Sequence, residues 1–425
     1  MQNDTAFQMA ASNIRFGIGT TAEVGMDLQS MQAKRVMLVI DPALVDSPTG
    51  LIVRQSLQSS RIPFEQFADI SVEPTASSFQ AATAAAVEGR FDAFVAVGGG
   101  STIDTAKAAN LYSTHPADFF DYVNAPIGRG LAVPGPLKPL IALPTTAGTG
   151  SETTGVAIFD CVDRHAKTGI SHRFLKPTLG IIDPENTKML PPAVAAASGL
   201  DVLSHALESF TAIPFNQRPK PTSPALRPAY QGANPISDIW ALRALEIVNE
   251  SLVRAFRDSS DDEARGQMLL AAAIAGIGFG NAGVHLPHAM SYPVAGMVRN
   301  FRPTGYDVDH ALVPHGISVI LHTPAVARFT APTSPSRHLR AAQALGADTT
   351  DVSPDDAGEV LAGRVVELMK ILEMPNGLNA VGYSNEDIPA LVSGTLQQQR
   401  ITQLSPIEAR ESELRDLFQQ SMTLW

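Results

Sequence analysis

Short apolar runs alternate with amphipathic or alanine-rich segments in the first 190 residues, and this alternation restricts the fold more than any other feature of the chain. Five apolar runs are typical of buried strands: 35–41, 63–67, 91–97, 139–146 and 179–184. Three segments between them predict helices: 51–58, 77–89 and 102–112. Strands that alternate with helices form parallel sheets covered on both faces. We therefore predict an α/β domain with a doubly wound, Rossmann-like parallel sheet over residues 1–190.

The pattern changes after residue 190 to long amphipathic segments, which predict an all-α second domain over 191–425. The predicted helices are 194–210, 237–256, 262–279, 355–372 and 412–422. An insert at 214–235 carries six prolines and cannot form a regular helix. Irregular segments of this length in a compact domain are usually functional or disordered. The two Arg, the Lys and Tyr230 of the insert are compatible with a functional loop.

Composition excludes several classes of protein. The 31 basic and 42 acidic residues give a net charge of −11 without a dense basic run, so we expect no nucleic-acid and no membrane partner. The single cysteine, Cys161, excludes an intrachain disulfide and leaves nitrogen and oxygen ligands for any metal. The first 30 residues contain one Arg and lack a secretory pattern, and the longest apolar run, 268–280, is too short for a bilayer. These features predict a cytoplasmic protein.

A glycine-rich turn follows the apolar run 91–97 and precedes a predicted helix. Gly98, Gly99 and Gly100 allow a sharp turn that exposes backbone N–H groups to an anion. The helix that begins at Ser101 points its positive end at the same place, and Ser101 with Asp104 resembles a capping box. We predict that Gly98–Ser101 bind a pyrophosphate and that Asp104 belongs to the same cofactor site. An ordinary strand-to-helix turn is the alternative, because the GxGxxG fingerprint is absent.

A second cluster of small residues follows the run 139–146 and favours a nucleotide ligand. Its hydroxyl side chains are Thr145, Thr146, Thr149 and Ser151. In doubly wound sheets, ligands bind beyond the carboxyl ends of the strands, where this cluster is expected. Asp41 ends the first predicted strand, and an acid there can accept both ribose hydroxyls of an adenosine. A turn or helix N-cap role for Asp41 before Pro42 is equally compatible with the local sequence.

One Asp and three His have the spacing of metal ligands. Asp201 and His205 are four residues apart in a predicted helix, so both side chains lie on one face, one turn apart. His288 and His315 follow in apolar surroundings, and residues 266–298 contain no Asp, Glu, Lys or Arg. Buried polar groups need partners, which a metal would supply. One carboxylate with three imidazoles suits Fe²⁺ or Zn²⁺ and is too rich in nitrogen for calcium or magnesium.

Several other polar residues close to this quartet in the sequence can be explained without a functional role. Any single His on an apolar face is usually a core residue with satisfied hydrogen bonds, and this alternative also remains open for the quartet. We adopt it for three further histidines: His285, His310 and His322. Glu208, one turn after His205, is either an acceptor for an imidazole or a surface residue.

Four motifs together resemble the iron-containing (group III) alcohol dehydrogenases. They are GGGSTIDTAK, PTTAGTGSE, GLDVLSHALES and the spacing HxxxxP…PHG, and the resemblance runs from about residue 15 to the C-terminus. It implies a dinucleotide domain, a helical domain in the dehydroquinate synthase-like architecture, an active site in the cleft and a homodimer. The implied metal ligands are Asp201, His205, His288 and His315. Lys167 would join Thr145 and Thr146 at the cofactor site, and Asp41 would favour NAD over NADP.

Five stretches resemble the hydroxyacid–oxoacid transhydrogenases within this family. They are KTGISHRFLKPTLGIIDP, RPAYQGANPISDIW, GIGFGNAGVHLPHAMSYP, YDVDHALVPHG and AVGYSNEDIPALVSGTL. This resemblance implies oxidation of 4-hydroxybutyrate to succinic semialdehyde and reduction of 2-oxoglutarate to D-2-hydroxyglutarate, with NAD(H) bound throughout. The main alternative is an NAD-dependent alcohol dehydrogenase that releases its cofactor in each turnover. A lyase or synthase like dehydroquinate synthase and a non-catalytic nucleotide-binding protein are further alternatives.

The chain departs from many group III dehydrogenases at Tyr292, where they carry a second His four residues after the third ligand. The proton relay assigned to that His would pass to Tyr292, to His285 or to water. Both implied substrates carry carboxylates, which require cationic anchors. Arg218 and Arg227 in the insert are the first candidates. Further candidates are Arg173, Lys176, Arg299 and Arg302, and a solvated surface charge is the alternative for each.

Overall fold

A parallel sheet organises the first of two units in the computed structural model, which describes residues 2–162, 166–306, 308 and 310–425. This unit spans Ala10–Leu190. Its strands are β1 Asn13–Phe16, β2 Val36–Ile40, β3 Phe64–Phe67, β4 Ala93–Gly98, β5 Leu140–Pro144, β6 Val156–Cys161, β7 Ala166–Ser171 and β8 Leu179–Ile182. Among the described residues, six strands form one sheet in the order β1-β8-β5-β4-β2-β3, and all neighbours are parallel. The predicted parallel sheet is confirmed.

Helices cover both faces of this sheet. They are α1 Val24–Ser30, α2 Pro48–Ser59, α3 Ala76–Gly89, α4 Gly100–Thr114 and α5 Phe119–Tyr122. Alternate residues of β2 point to opposite faces, as the period of a strand requires. Leu38 packs in a cluster with residues of α1 and α2, whereas Met37 and Val39 pack with residues of α3 and α4. This division of the core is the doubly wound arrangement predicted from the alternating pattern.

Three strands were not predicted, because they lack an apolar run. β1 has the sequence NIRF, and most of it is exposed at the edge of the sheet. β6 and β7 form a separate antiparallel pair, and β7 carries Lys, Thr, Gly and Ser. Phe159 and Ile170 of this pair are buried with Phe79 and Leu111, so the pair packs on residues of α3 and α4. Tertiary packing, and not local hydrophobicity, therefore defines these strands.

The second unit, which contains Pro191–Trp425, is helical. Its helices are α6 Pro192–Thr211, α7 Pro235–Arg257, α8 Asp262–Ala282, α9 Leu286–Gly296, α10 His315–Ile320, α11 Thr323–Thr330, α12 Pro335–Ala344, α13 Ala357–Ile371, α14 Ile388–Leu396, α15 Gln399–Thr402 and α16 Glu411–Ser421. The five predicted helices are confirmed as α6, α7, α8, α13 and α16. Proline occupies the first turn of α6 and α7, where its missing N–H has no cost.

The proline-rich insert lacks an α-helix, as predicted, and contains only the short 3₁₀ turns Phe215–Gln217 and Pro224–Leu226. Residues 2–9 belong to the helical unit, although the domain prediction placed them in the α/β domain. Backbone hydrogen bonds explain this placement, since Asp4 N donates to Arg218 O at 2.8 Å and Lys220 N donates to Gln2 O at 3.0 Å.

No single helix of the described chain has both the length and the apolar character needed to cross a membrane. The pair α8 and α9 meets these two criteria only when joined, and the two helices are bent by 104° at the break between them.

Candidate active site

Four predicted metal ligands converge in the helical unit. One ligand atom from each of Asp201, His205, His288 and His315 lies within 4.8 Å of the other three. Helix α6 presents Asp201 and His205 one turn apart, α9 carries His288, and α10 begins at His315. Asp201, His205 and His288 are buried, whereas the side chain of His315 is 23% exposed. Residues separated by more than 100 positions therefore form one cluster with access on the side of His315.

The donor atoms of this quartet fit a divalent cation. Asp201 Oδ1 lies 3.6 Å from His288 Nε2 and 3.8 Å from His315 Nε2, and Asp201 Oδ2 lies 3.7 Å from His205 Nδ1. These distances exceed those of hydrogen bonds. They are the distances expected between ligand atoms that each lie about 2.1 Å from one shared ion. Within the described residues, Asp201 Oδ1 and His288 Nε2 are buried without a hydrogen-bond partner, which a bound metal would provide.

Glu208 and Phe279 hold two of the imidazoles. Glu208 Oε1 lies 2.6 Å from His288 Nδ1, and Glu208 Oε2 accepts a hydrogen bond from the backbone N–H of His285 at 2.6 Å. Because a carboxylate only accepts, His288 Nδ1 is the donor, and Nε2 is the ring nitrogen that faces the quartet. The ring of Phe279 stacks on His205 with centroids 3.9 Å apart. Glu208 is thus the acceptor for an imidazole and not a surface residue.

Charge compensation keeps Asp201 ionised in this buried position. Burial would raise the pKa of Asp201, but the adjacent imidazoles outweigh that effect and hold the pKa below its usual range. Burial would likewise lower the pKa of His288, and the carboxylates of Glu208 and Asp201 instead raise it to about 9. The cluster therefore presents an anionic oxygen to any cation that binds there.

The two candidate relay residues lie next to the quartet. Tyr292 is one turn after His288 on α9, and its ring centroid lies 6.4 Å from that of His315. Burial raises the pKa of Tyr292, so the hydroxyl keeps its proton at neutral pH. His285 Nε2 lies 3.0 Å from Thr211 Oγ1, and burial lowers the pKa of His285 to about 4. The relay roles of Tyr292 and His285 stay predictions.

The prediction of a core residue with satisfied hydrogen bonds is wrong for His310, and for His322 it is right about burial but not about hydrogen bonds. His310 is exposed. His322 is buried, packs edge-on against Phe418, and has no hydrogen-bond partner for either ring nitrogen among the described residues. Burial lowers the pKa of His322 to about 3, so this imidazole is neutral.

The glycine-rich turn connects β4 to α4 in the α/β unit. Gly98 has φ +157°, and a Cβ atom there would lie 2.4 Å from Thr102 Oγ1. Helix α4 begins at Gly100 with Gly99 as its N-cap, and no side chain caps it. The expected capping box of Ser101 and Asp104 does not form, because the N-cap of the helix is Gly99, two residues before Ser101. The N–H groups at this helix end are thus left for a ligand or for water.

The two predicted cofactor clusters lie together. A Cβ atom at Gly99 would lie 3.2 Å from Thr146 Oγ1, and one at Gly100 would lie 2.6 Å from Thr149 Cγ2. The backbone N–H of Thr145 donates to Gly98 O at 3.1 Å. The hydroxyl residues after β5 therefore line the turn after β4, at the carboxyl ends of neighbouring parallel strands.

A buried ionic network that the sequence analysis did not predict involves α4, the helix that follows this turn. Lys107 is fully buried, and its Nζ donates to Ser151 Oγ at 2.6 Å and to Val156 O at 2.7 Å. Ser151 Oγ donates to Asp104 Oδ1 at 2.5 Å, and Asp104 lies 3.4 Å from Lys107 Nζ. Asp104 and Ser151 are therefore engaged with Lys107, and their predicted contact with the cofactor stays a prediction.

Asp41 and Lys167 also have partners within the protein. Asp41 Oδ1 accepts a hydrogen bond from Ala43 N at 2.9 Å, which is the turn role considered as the alternative. Lys167 pairs with Glu73 and lies 3.8 Å from Asp160 Oδ1, and burial lowers the pKa of Lys167 to about 7. Glu73 N donates in turn to Ser101 Oγ at 3.2 Å, which connects this group to the turn. Ribose and cofactor contacts of Asp41 and Lys167 stay predictions.

The candidate substrate anchors are engaged as well. Asp4 Oδ2 lies 3.0 Å from Arg227 Nε and 3.4 Å from Arg218 Nη2, so one carboxylate serves both arginines of the insert. Arg299 pairs with Asp387. The remaining candidates have other partners: Arg173 lies over the Phe174 ring, Lys176 donates to Ala10 O and Thr153 O, and Arg302 donates to Val308 O and His310 O. Their anchor roles stay predictions without geometric support.

Two sequence models of one protein family match most of the chain. The iron-containing alcohol dehydrogenase model matches residues 11–184, and the C-terminal model of the Fe-containing alcohol dehydrogenase family matches residues 229–422. The chain belongs to the iron-containing alcohol dehydrogenase family. It is therefore an oxidoreductase, and the resemblance predicted from the four motifs is confirmed. The alternatives of a lyase and of a non-catalytic nucleotide-binding protein are not supported.

Individual iron-containing alcohol dehydrogenase relatives agree with this assignment. The chain is 57% identical to the mitochondrial hydroxyacid–oxoacid transhydrogenase of Bos taurus over 99% of this chain and 91% of the relative. It is 56% identical to the Homo sapiens protein of the same name over the same shares. A solved 1,3-propanediol oxidoreductase has TM-score 0.85 and 25% identity, covering 98% of this chain and 100% of that one. The sulfoacetaldehyde reductase of Bifidobacterium kashiwanohense, solved with NAD⁺, has TM-score 0.80 and 26% identity, covering 99% and 100%.

The predicted cytoplasmic location of this family member is wrong. The relatives from Bos taurus, Mus musculus and Homo sapiens are all named as mitochondrial proteins. The prediction depended on the scarcity of arginine in the first 30 residues and on the absence of a secretory pattern. The composition of so short a stretch is a weak indicator of location, and full-length similarity outweighs it.

Proposed function

We propose that the protein is a metal-dependent hydroxyacid–oxoacid transhydrogenase that uses NAD(H). The observation that carries the proposal is the convergence of Asp201, His205, His288 and His315 in one buried cluster. The 57% identity to a hydroxyacid–oxoacid transhydrogenase over nearly the whole chain supports the reaction type. The proposed reaction oxidises 4-hydroxybutyrate to succinic semialdehyde and reduces 2-oxoglutarate to D-2-hydroxyglutarate.

The residues of the chain have separate tasks in this reaction. When bound, Fe²⁺ or Zn²⁺ would supply a Lewis acid for the substrate oxygen, and NAD(H) would supply the hydride acceptor and donor. The quartet would hold the metal, and Glu208 fixes His288 in the tautomer that can ligate. The turn at Gly98–Gly100, with Thr146 and Thr149, would bind the pyrophosphate. The mainly buried quartet limits access of water to the reacting atoms.

Several details of this proposal extend beyond the family assignment. The donor set of one carboxylate and three imidazoles suits iron and zinc alike. A homodimer, small hydroxy and oxo acids as the partners, and the absence of nucleic-acid and membrane partners stay predictions.

An NAD-dependent alcohol dehydrogenase that exchanges its cofactor is the second candidate. The solved relatives named 1,3-propanediol oxidoreductase and sulfoacetaldehyde reductase favour it, because neither name describes a transhydrogenase. The two candidates differ in whether NAD(H) stays bound between the half-reactions.

An assay without added NAD separates these candidates. We expect purified, metal-loaded protein to form succinic semialdehyde and D-2-hydroxyglutarate in equal amounts from 4-hydroxybutyrate and 2-oxoglutarate, because retained NAD(H) is regenerated in each cycle. The products are measured by mass spectrometry, and omission of 2-oxoglutarate is the control that should stop turnover after one equivalent. Strict dependence on added NAD would instead establish the alcohol dehydrogenase.

We expect Gly100→Ala to weaken NAD binding. The added Cβ would lie 2.6 Å from Thr149 Cγ2, so the turn and the threonine must separate. Misfits of this size cost about 1–3 kcal/mol, which corresponds to about a 5- to 150-fold rise in Kd for NADH. Titration of NADH fluorescence measures the change. Gly363→Ala is the matched control, because Gly363 is an exposed position of α13 and an added Cβ there meets nothing within 4 Å. Equal affinity of both variants would contradict the assignment of the turn.

A further inference from the structure

Arg400 is a cation without an anionic partner near the candidate metal cluster. Among the described residues, no carboxylate forms an ion pair with it, and its Nη1 is buried without a hydrogen-bond acceptor. Burying a guanidinium without an anionic partner lowers the stability of the folded protein. Such destabilising groups are commonly found at binding sites. We propose that Arg400 binds the carboxylate of the hydroxy acid and oxo acid substrates. This inference depends on the proposed function, since it names the anchor that such substrates need.

The surroundings of Arg400 hold its guanidinium in place. Arg400 lies in α15, and its Cζ is 4.9 Å from the centroid of the Tyr230 ring, within the range of a cation–π contact. Tyr230 is a buried residue of the proline-rich insert. The backbone fixes the same segment, because Ile213 N donates to Leu404 O at 2.8 Å. The cation is thus positioned by an aromatic ring, which leaves its N–H groups for a planar anion.

The same contacts connect Arg400 to the quartet. Helix α15 packs against α9, which carries both His288 and Tyr292. Tyr230 lies beside Gly283, just before α9, since a Cβ atom at Gly283 would be 2.9 Å from Tyr230 Cβ. Arg400 therefore lies in a helix that packs against the helix carrying His288 and Tyr292.

Pairing distinguishes Arg400 from the arginines suggested by the sequence. Arg218 and Arg227 share Asp4, and Arg299 pairs with Asp387. A substrate carboxylate would have to displace a protein carboxylate from each of these three, but it would meet no such competitor at Arg400. A charge-assisted, bidentate contact to a free guanidinium is the stronger anchor.

Arg400→Gln tests the proposal in the metal-loaded, full-length protein. With saturating 2-oxoglutarate as the hydride acceptor, we expect the KM for 4-hydroxybutyrate to rise about 10- to 100-fold, as loss of a charged hydrogen bond predicts, while the KM for butan-1-ol is unchanged. Competitive inhibition by butyrate should weaken by the same factor. Arg400→Lys, which keeps the charge, should recover part of the affinity. Arg415→Gln removes an equal charge from an exposed position of α16 and is the matched control.

Three results would overturn the anchor. They are an unchanged KM for 4-hydroxybutyrate, equal losses for the acid and the alcohol, and unchanged inhibition by butyrate. Thermal unfolding of the Gln and Lys variants separates loss of folding from loss of binding, and the Lys variant keeps the test valid if the Gln variant does not fold. A wrong proposed function would give a different result, namely a wild-type protein that turns over no hydroxy acid. That result would also refute the proposed role of Arg400.

Discussion

We expect His288→Ala to abolish turnover of 4-hydroxybutyrate while the protein stays folded. The substitution removes one of four convergent donors and leaves Glu208 without the imidazole that it orients. Loss of a Lewis acid removes several kcal/mol of transition-state stabilisation, so the rate should fall about 1,000-fold or more. The rate is measured as succinic semialdehyde formed with saturating 2-oxoglutarate, and bound metal is measured by mass spectrometry of the digested protein.

His310→Ala is the matched control, because that histidine is exposed and lies outside the quartet. It should keep both the metal content and the activity of the wild type. Circular dichroism should show the same helical content in the two variants. Full activity of His288→Ala with unchanged metal content would refute the ligand assignment.

The second large effect concerns stability. We expect Lys107→Met to lower the free energy of unfolding of the α/β unit by about 3–5 kcal/mol, because removal of one member of a buried ion pair leaves a carboxylate uncompensated. Lys107 is fully buried beside Asp104, and the nearby Glu152 Oε1 has no hydrogen-bond partner among the described residues. Burial already raises the pKa of Glu152 to about 7, and loss of the lysine charge should raise it further. Urea denaturation measures the change.

Lys188→Met is the control for this prediction. Its ammonium group is 2.8 Å from Glu185 Oε1, but both side chains are more than 40% exposed, and exposed pairs contribute little. The control should therefore unfold at the urea concentration of the wild type. A Lys107→Met protein that is equally stable would show that the buried network is not needed for the fold of this unit.

The parts of the fold that the sequence predicted are those with a local signal. The strands β2, β4, β5 and β8 are buried along their whole length, and a continuous apolar run marks each. The edge strand β1 and the β6–β7 pair carry polar residues, and only their partners make them strands. Helix lengths followed from periodicity, whereas the first turn of α4 was misplaced because glycine is a poor helix signal.

The candidate site also has parts that the sequence predicted and parts that it could not predict. The spacing of Asp201 and His205 and the charge-poor stretch around His288 predicted the quartet. The partner of Glu208 lies 80 residues further along the chain, so its role could not be decided locally. The pairing of Asp4 with the insert and the unpaired state of Arg400 depend on which charges meet in three dimensions. No spacing rule contains that information.

The division of the chain into two units gives each unit its own optical or chemical reporter. Both tryptophans, Trp240 and Trp425, belong to the helical unit, so intrinsic tryptophan emission follows only that unit. The sole thiol, Cys161, is buried in β6 of the α/β unit, and its reaction with a thiol reagent during urea denaturation follows that unit alone. A lesion at Lys107 should therefore shift the labelling of Cys161 to lower urea concentrations.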